Sequence, residues 1–164
     1  PRPRSFHNLL CSCYTLFCCF YIRHWLARRF MKTIYVLMIS IGFFYAGTLH
    51  FTDAHDLAAI TPLPFALEIV WLTGIMEFIF PFFLLWPKYR AVTGLWLSIF
   101  CLAVLIANIN MAVNNLPMFG QLVAPWIAWL RLPMQFALIA WIIYACESMQ
   151  LVKRYGWRAL FHCQ

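Results

Sequence analysis

The stretch WIAWLRLPMQFALIAWIIYAC, residues 126–146, indicates what kind of protein this is. It is apolar along its length and contains one charged residue, Arg131. A helix needs about 20 such residues to span a bilayer. An arginine at the centre of such a helix costs at least roughly 2.5–3.5 kcal/mol, so Arg131 needs a partner or a wet cavity. We therefore expect the rest of the chain to place polar groups around it.

The composition excludes an ordinary water-soluble domain. Of the 164 residues, 65% are hydrophobic and 10% are charged, and the mean hydropathy is +0.79. Soluble domains carry about 25% charged residues, so the lipid bilayer is the expected solvent and first partner. The net charge of +7 could suggest nucleic acid. Apart from Arg131, however, the basic residues flank hydrophobic runs, which is how membrane proteins orient themselves. No nucleic-acid partner is expected.

Four hydrophobic segments predict the fold. They cover residues 33–51, 65–86, 91–113 and 126–146, and Pro- and Asn-containing turns separate them. The expected fold class is all-α, an integral membrane four-helix bundle. Gly42 and Ala46 in the first segment form a small-xxx-small pair, which would permit close contact between helices.

The distribution of Lys and Arg predicts the orientation. The loops at 52–64 and 114–125 contain neither residue. The basic residues lie before the first segment, in the second loop and in the tail, as Lys32, Lys88, Arg90, Lys153, Arg154 and Arg158. By the positive-inside rule, both termini and the second loop are cytoplasmic, and the other two loops face outward.

The chain divides by pattern into three parts. Met31-Lys32 before an apolar run is typical of a bacterial protein start, so residues 1–30 are interpreted as an upstream or non-native extension. The alternatives are a short or re-entrant membrane segment and, less favoured, a cleaved signal peptide. Residues 31–147 would form the membrane domain, and residues 148–164 a basic cytoplasmic tail.

Polar residues recur in the predicted outer half of the bundle. At about 1.5 Å rise per residue, Glu77 lies roughly 16–18 Å below the outer surface and Arg131 about 8 Å below it. A carboxylate is the preferred partner of a buried arginine, so Arg131 is expected to pair with Glu77 or Glu68. The candidate ligand-binding or polar cluster is His50, Glu68, Thr73, Glu77, Asn108, Asn110, Arg131 and Gln135.

Two interpretations of this cluster stay open: a polar clasp that holds the helices in register, and a site for a polar or redox-active ligand. His50, Asp53, His55 and Asp56 could suggest a metal site, but their spacing matches no recognised ligand pattern, so no metal is predicted. No nucleotide-binding or nucleophile motif is present, and no catalytic residue can be named.

Four blocks in order resemble the DoxX-like family of small bacterial membrane proteins. They are AGTLHF at 46–51, LTGIME at 72–77, ANINM at 107–111 and WLRLPMQ at 129–135. The resemblance covers residues 31 to about 147. It implies a four-helix bundle in the bacterial cytoplasmic (plasma) membrane and a loose link to quinone-coupled redox and sulfur metabolism.

The leading expectation is therefore a small subunit of a redox or respiratory membrane assembly, with a polar site in the outer half of the bundle able to meet a quinone head group or a small polar ligand. The cofactor is not fixed by the sequence, and a quinone is the candidate. Other copies of the chain or other membrane subunits would be its partners, and any enzymatic role would be that of an accessory subunit. Arg131 and Gln135 would donate hydrogen bonds to the ligand, Glu77 would balance charge or relay a proton, and His50 would exchange protons at the surface. The alternatives are a small transporter or permeation element and a purely structural assembly subunit.

Overall fold

The computed structural model describes residues 4–117, 121 and 124–161, and over these the chain is helical. The elements are α1 (Arg4–Thr52), α2 (Ala54–Ile60), α3 (Ala66–Leu85), α4 (Arg90–Asn114), α5 (Pro125–Ala145), α6 (Ser148–Tyr155) and a 3₁₀ helix (Gly156–Phe161). Predictions for residues 1–3, 118–120, 122–123 and 162–164 lie outside the described residues.

Four helices are long and apolar enough to cross a membrane. They are the Arg23–Thr52 part of α1, and α3, α4 and α5. From α3 onward each begins and ends within a residue of its predicted segment; the first continues well before residue 33. The sequence prediction of an all-α protein with four candidate spans is therefore confirmed. Pro81 and Pro133 lie inside α3 and α5, where each removes one backbone donor without ending the helix.

The chain divides into two compact units, residues 1–35 and 36–164. In the first, the Arg29 guanidinium lies 4.0 Å from the ring centroid of Trp25, and the Thr33 hydroxyl donates to the Arg29 carbonyl oxygen at 3.1 Å. The second unit contains every candidate site residue.

The first loop contains a helix that the sequence analysis did not predict. In α2, Leu57 and Ile60 lie three residues apart and so share a helix face. Ile60 is buried with Met111 and Ala128 of α4 and α5, and Leu57 packs against this cluster. Helix α2 therefore covers one end of the region between the long helices, where an open loop was expected.

The segment after α5 folds back against α4. Glu147 adopts a left-handed conformation (φ 58°), which turns the chain between α5 and α6. The buried Ser148 hydroxyl then donates to the Ala91 carbonyl oxygen at 2.9 Å. Further on, the Trp96 indole N–H donates to the Leu160 carbonyl oxygen at 3.0 Å. Part of the predicted tail is thus fixed to the long helices by hydrogen bonds.

Candidate functional site

Two glycines bring α1 and α3 into close contact at the site. A Cβ atom added to Gly74 would lie 2.7 Å from the His50 Cβ, and one added to Gly47 would lie 3.3 Å from the Gly74 carbonyl oxygen. Carbon atoms normally approach to about 3.5–4.0 Å, so no larger residue fits at Gly74 without a shift of a helix. These glycines set the distance between the helices that carry His50 and Glu77.

The small-xxx-small pattern predicts instead that Gly42 and Ala46 permit close contact between helices. That prediction is wrong for Gly42, because a Cβ added there would have no atom within 4 Å. Gly42 lies on an exposed face of α1, whereas Gly47 is buried against α3. The small-xxx-small pattern does not say which face of a helix meets a neighbour, and this is why it misled.

His50 and Glu77 are in contact inside the bundle. The His50 Nδ1 lies 3.0 Å from Glu77 Oε2, and the two side chains are 16% and 7% exposed. The same nitrogen lies 3.0 Å from the Ala46 carbonyl oxygen. A carbonyl oxygen only accepts, so Nδ1 carries a proton. Nδ1 donates that proton to the Ala46 carbonyl oxygen. Glu77 Oε2 accepts no hydrogen bond from the described residues.

The free-energy cost of burying the Glu77 carboxylate depends on the protonation of His50. A buried carboxylate without a hydrogen bond is costly in an apolar surrounding. A proton on His50 Nε2 would make the ring an imidazolium and offset the charge of Glu77. The pair can therefore hold one further proton, on His50 Nε2, within the region enclosed by the helices.

Arg131 lines an apolar cavity of about 360 Å³, which we call the Arg131 cavity. Helices α1 to α5 and the chain between α2 and α3 contribute to its wall. Its polar side chains are few and come from different elements; they are His50, Thr61, Thr73, Asn108 and Arg131. An apolar cavity with a few convergent polar groups is the usual form of a small-molecule site.

The expected pair between Arg131 and Glu77 or Glu68 is not formed. Among the described residues, Arg131 makes no ion pair and no hydrogen bond. Glu77 does not meet Arg131, because the close approach at Gly74 places His50 of α1 against Glu77. Glu68 is exposed in the first turn of α3. Arg131 is half-buried on α5 and faces the cavity with its guanidinium donors unused within the described chain.

A second cavity of about 340 Å³ adjoins the first and is called the Glu77 cavity. The two cavities share Ala46, Phe100 and Val104. Gln135 lines the Glu77 cavity and donates from Nε2 to the Cys101 carbonyl oxygen at 2.9 Å. This hydrogen bond links α4 to α5. Because it uses an amide proton of Gln135, that side chain is less available to a ligand than Arg131.

The structure brings together six of the eight candidate residues. His50, Thr73, Asn108 and Arg131 line the Arg131 cavity, and Glu77 and Gln135 line the Glu77 cavity. The Asn108 amide nitrogen lies 3.5 Å from Gln135 Oε1, at the limit of a hydrogen bond. The Thr73 hydroxyl donates to the Val70 carbonyl oxygen at 2.8 Å within its own helix.

Asn110 and Glu68 lie apart from these six. Asn110 donates to the Ile60 carbonyl oxygen at 2.8 Å and so anchors the end of α2. Glu68 lines neither cavity.

Several residues of the site were not predicted. Gly47 and Gly74 fix the approach of the helices, and Phe100 and Trp141 form cavity walls. A glycine directly after Thr73 inside an apolar span was the available signal for Gly74, since such a glycine often marks close backbone approach. The aromatic residues gave no signal, because an apolar span contains many that pack equally well.

Of the residues weighed for a metal site, His50 lies near the end of α1, and Asp53, His55 and Asp56 lie at the start of α2. The Thr52 hydroxyl donates to Asp53 Oδ2 at 2.6 Å. Within the described part of the chain, no group of three or more His, Cys, Asp or Glu side chains could hold a metal ion.

No curated protein and no solved structure gives a significant match. One family does match, over residues 39–146, and it is described as Domain of unknown function (DUF8561). The matched range begins in the cavity-lining part of α1 and ends directly after α5, so it includes His50, Glu77 and Arg131. Because the match covers more than half of the chain, this protein belongs to the DUF8561 family.

Proposed function

We propose that the protein is a multi-pass protein of a bacterial cytoplasmic membrane, with both termini on the cytoplasmic side. The four apolar helices support the membrane location, and the absence of Lys and Arg from residues 52–64 and 114–125 supports the orientation. In this orientation the end of α1 that carries His50 is near the outer surface. The Arg131 cavity then lies in the outer half of the bundle.

In this membrane the Arg131 cavity binds a small amphiphile whose head group carries carbonyl oxygens, with a quinone as the leading case. One observation carries the proposal: Arg131 faces an apolar cavity and has no partner in the described chain. An arginine within a membrane span is costly and is usually kept for a ligand or a pathway. A hydrogen bond from a charged donor to such an oxygen contributes about 1.5–3 kcal/mol, which would offset this cost when the ligand is bound.

The polar residues have distinct roles in this proposal. Arg131 donates to a ligand oxygen, and Asn108 lies on the same cavity wall with an amide that is only weakly engaged. His50 lines the cavity and contacts Glu77 behind it, so a proton held at His50 is available at the ligand. A bound quinone would supply the redox chemistry, and the chain would be its membrane subunit in a redox assembly. The DoxX-like resemblance supports the same assignment.

The proposal is tested by binding. The full chain is purified in lipid nanodiscs, a water-soluble short-chain benzoquinone is titrated, and quenching of tryptophan fluorescence is followed. We expect saturable binding, and Arg131→Met should weaken it roughly 10- to 150-fold, the equivalent of one charge-assisted hydrogen bond. Lys153→Met is the matched control, because Lys153 is an exposed basic residue outside both cavities.

Two outcomes would overturn the proposal. One is the absence of saturable binding to the wild-type protein, with no quinone among the lipids extracted from it after purification from its native membrane. The other is equal binding by the wild-type protein and Arg131→Met. Passage of a tracer quinone across a sealed vesicle, without retention by the protein, would support a permeation element instead.

A further inference from the structure

Gly42 lies beside an opening in the side of the bundle. It lines the Glu77 cavity, and a Cβ added there would meet no atom within 4 Å. Met38, one turn earlier in α1, lines the same cavity and is 54% exposed. Glu77 and Cys101, which line the same cavity, are buried. A cavity that contacts both exposed and buried residues extends from the surface of the bundle to its interior.

The walls of this opening are contributed by α1 and α5. Met38, Gly42 and Phe43 come from α1, and Leu138 and Trp141 come from α5. All five lie within segments long and apolar enough to cross a membrane. The surface at which the cavity opens is therefore one that faces lipid chains when the helices span the bilayer. Apart from Glu77 and Gln135, the lining is apolar or sulfur-containing.

The opening leads to the proposed ligand site. The Glu77 cavity shares Ala46, Phe100 and Val104 with the Arg131 cavity. The Arg131 cavity also reaches exposed residues Pro62 and Leu63, between α2 and α3. Among the described residues, the site therefore opens past Pro62 and Leu63 and to the side at Gly42. Arg131 and Asn108 also line a further cavity that reaches the exposed Met134 of α5.

We propose that the side opening at Gly42 is the route by which a long-chain ligand reaches Arg131 from within the bilayer. The hydrocarbon chain of the bound ligand lies between α1 and α5, with its head group in the Arg131 cavity. This inference rests on the proposed function and narrows its ligand class to lipid-dissolved molecules with an apolar tail. Burial of the tail against the apolar wall contributes affinity in proportion to the area covered.

The test compares two ligands with the same head group in nanodiscs that contain the full chain. One is a benzoquinone with a long isoprenoid tail, supplied in the lipid, and the other is the tail-less head group, supplied in water. Quenching of tryptophan fluorescence reports both. We expect Gly42→Phe to weaken binding of the tailed ligand by at least about tenfold and of the tail-less one by less than about twofold.

Two control variants separate blockage from misfolding. Ile41→Phe adds a phenyl ring at the neighbouring position, which is 67% exposed and lines neither cavity, and should bind both ligands as the wild type does. Gly42→Ala has room for its methyl group and should also bind both. Alanine favours the helix over glycine, so this variant should fold.

The outcomes distinguish the two proposals. If the wild type binds neither ligand, the proposed function fails and this route fails with it. If the wild type binds both ligands and Gly42→Phe still binds the tailed ligand normally, the proposed function stands and the route at Gly42 is wrong. Loss of both ligands in Gly42→Phe, with Gly42→Ala normal, would also overturn it, because the residue would then block the head-group site itself.

Discussion

The close approach of α1 and α3 at Gly74 should be sensitive to a single methyl group. In Gly74→Ala the new Cβ would lie 2.7 Å from the His50 Cβ, and 3.1 Å from the nearer ring carbon of Phe51. The phenyl ring can turn away, but the His50 Cβ moves only with its backbone. The helices must therefore separate by about 1 Å to restore a normal carbon–carbon distance. Overpacking of this kind typically costs about 1–3 kcal/mol.

Gly42→Ala is the matched control for this substitution. Both glycines lie inside long helices, so alanine contributes the same helix propensity at each, about 1 kcal/mol, which cancels in the comparison. At Gly42 the methyl group meets no atom within 4 Å. We expect Gly74→Ala to be less stable than Gly42→Ala by about 1–3 kcal/mol, measured by reversible unfolding in mixed micelles. Equal stabilities would refute the reasoning that this glycine sets the helix separation.

Three further predictions concern the surroundings of the site. Asn110→Ala removes the hydrogen bond to the Ile60 carbonyl oxygen, so amide exchange in α2 should become faster while exchange in α5 stays unchanged. Ser148→Ala removes a buried hydrogen bond between α6 and α4 and should lower the unfolding free energy by about 0.5–1.5 kcal/mol; no change would show that water replaces it. In the proposed orientation, a cysteine placed at Ala59 should react with an impermeant maleimide outside intact cells and one at Tyr89 should not; the reverse would invert the topology.

The long helices were predictable from sequence because one physical quantity decides them. Hydropathy over about 20 residues depends on no tertiary contact, and the predicted and observed limits of α3, α4 and α5 agree to within a residue. Helix α2 was missed because its seven residues form a helix through contact of Leu57 and Ile60 with distant parts of the chain. The fold-back of α6 likewise depends on a left-handed Glu147, for which the sequence carries no glycine signal.

The sequence indicates which residues could form the candidate site, but it does not indicate which of their side chains pair with one another. Depth along the helices predicts that His50, Glu77, Asn108 and Arg131 lie in one region, because the rise per residue is fixed. In the structure these four residues line the two adjoining cavities. Pairing depends on how each helix is rotated about its axis and on how closely neighbours approach. The contact at Gly74 determines the rotation and the separation of α1 and α3. As a result, Glu77 pairs with His50. The expectation that a buried arginine pairs with a carboxylate of another span cannot detect this.

The most direct measurement is the unfolding free energy of Arg131→Met alongside Arg131→Met combined with Glu77→Gln. If Arg131 faces the cavity without a partner in the bundle, the single substitution should not lower the unfolding free energy, because it removes an uncompensated charge while methionine keeps the apolar stem. Adding Glu77→Gln should then give no recovery. A loss of roughly 3–5 kcal/mol that Glu77→Gln largely restores would show a buried Arg131–Glu77 pair, and would contradict the assignment of Arg131 to a ligand.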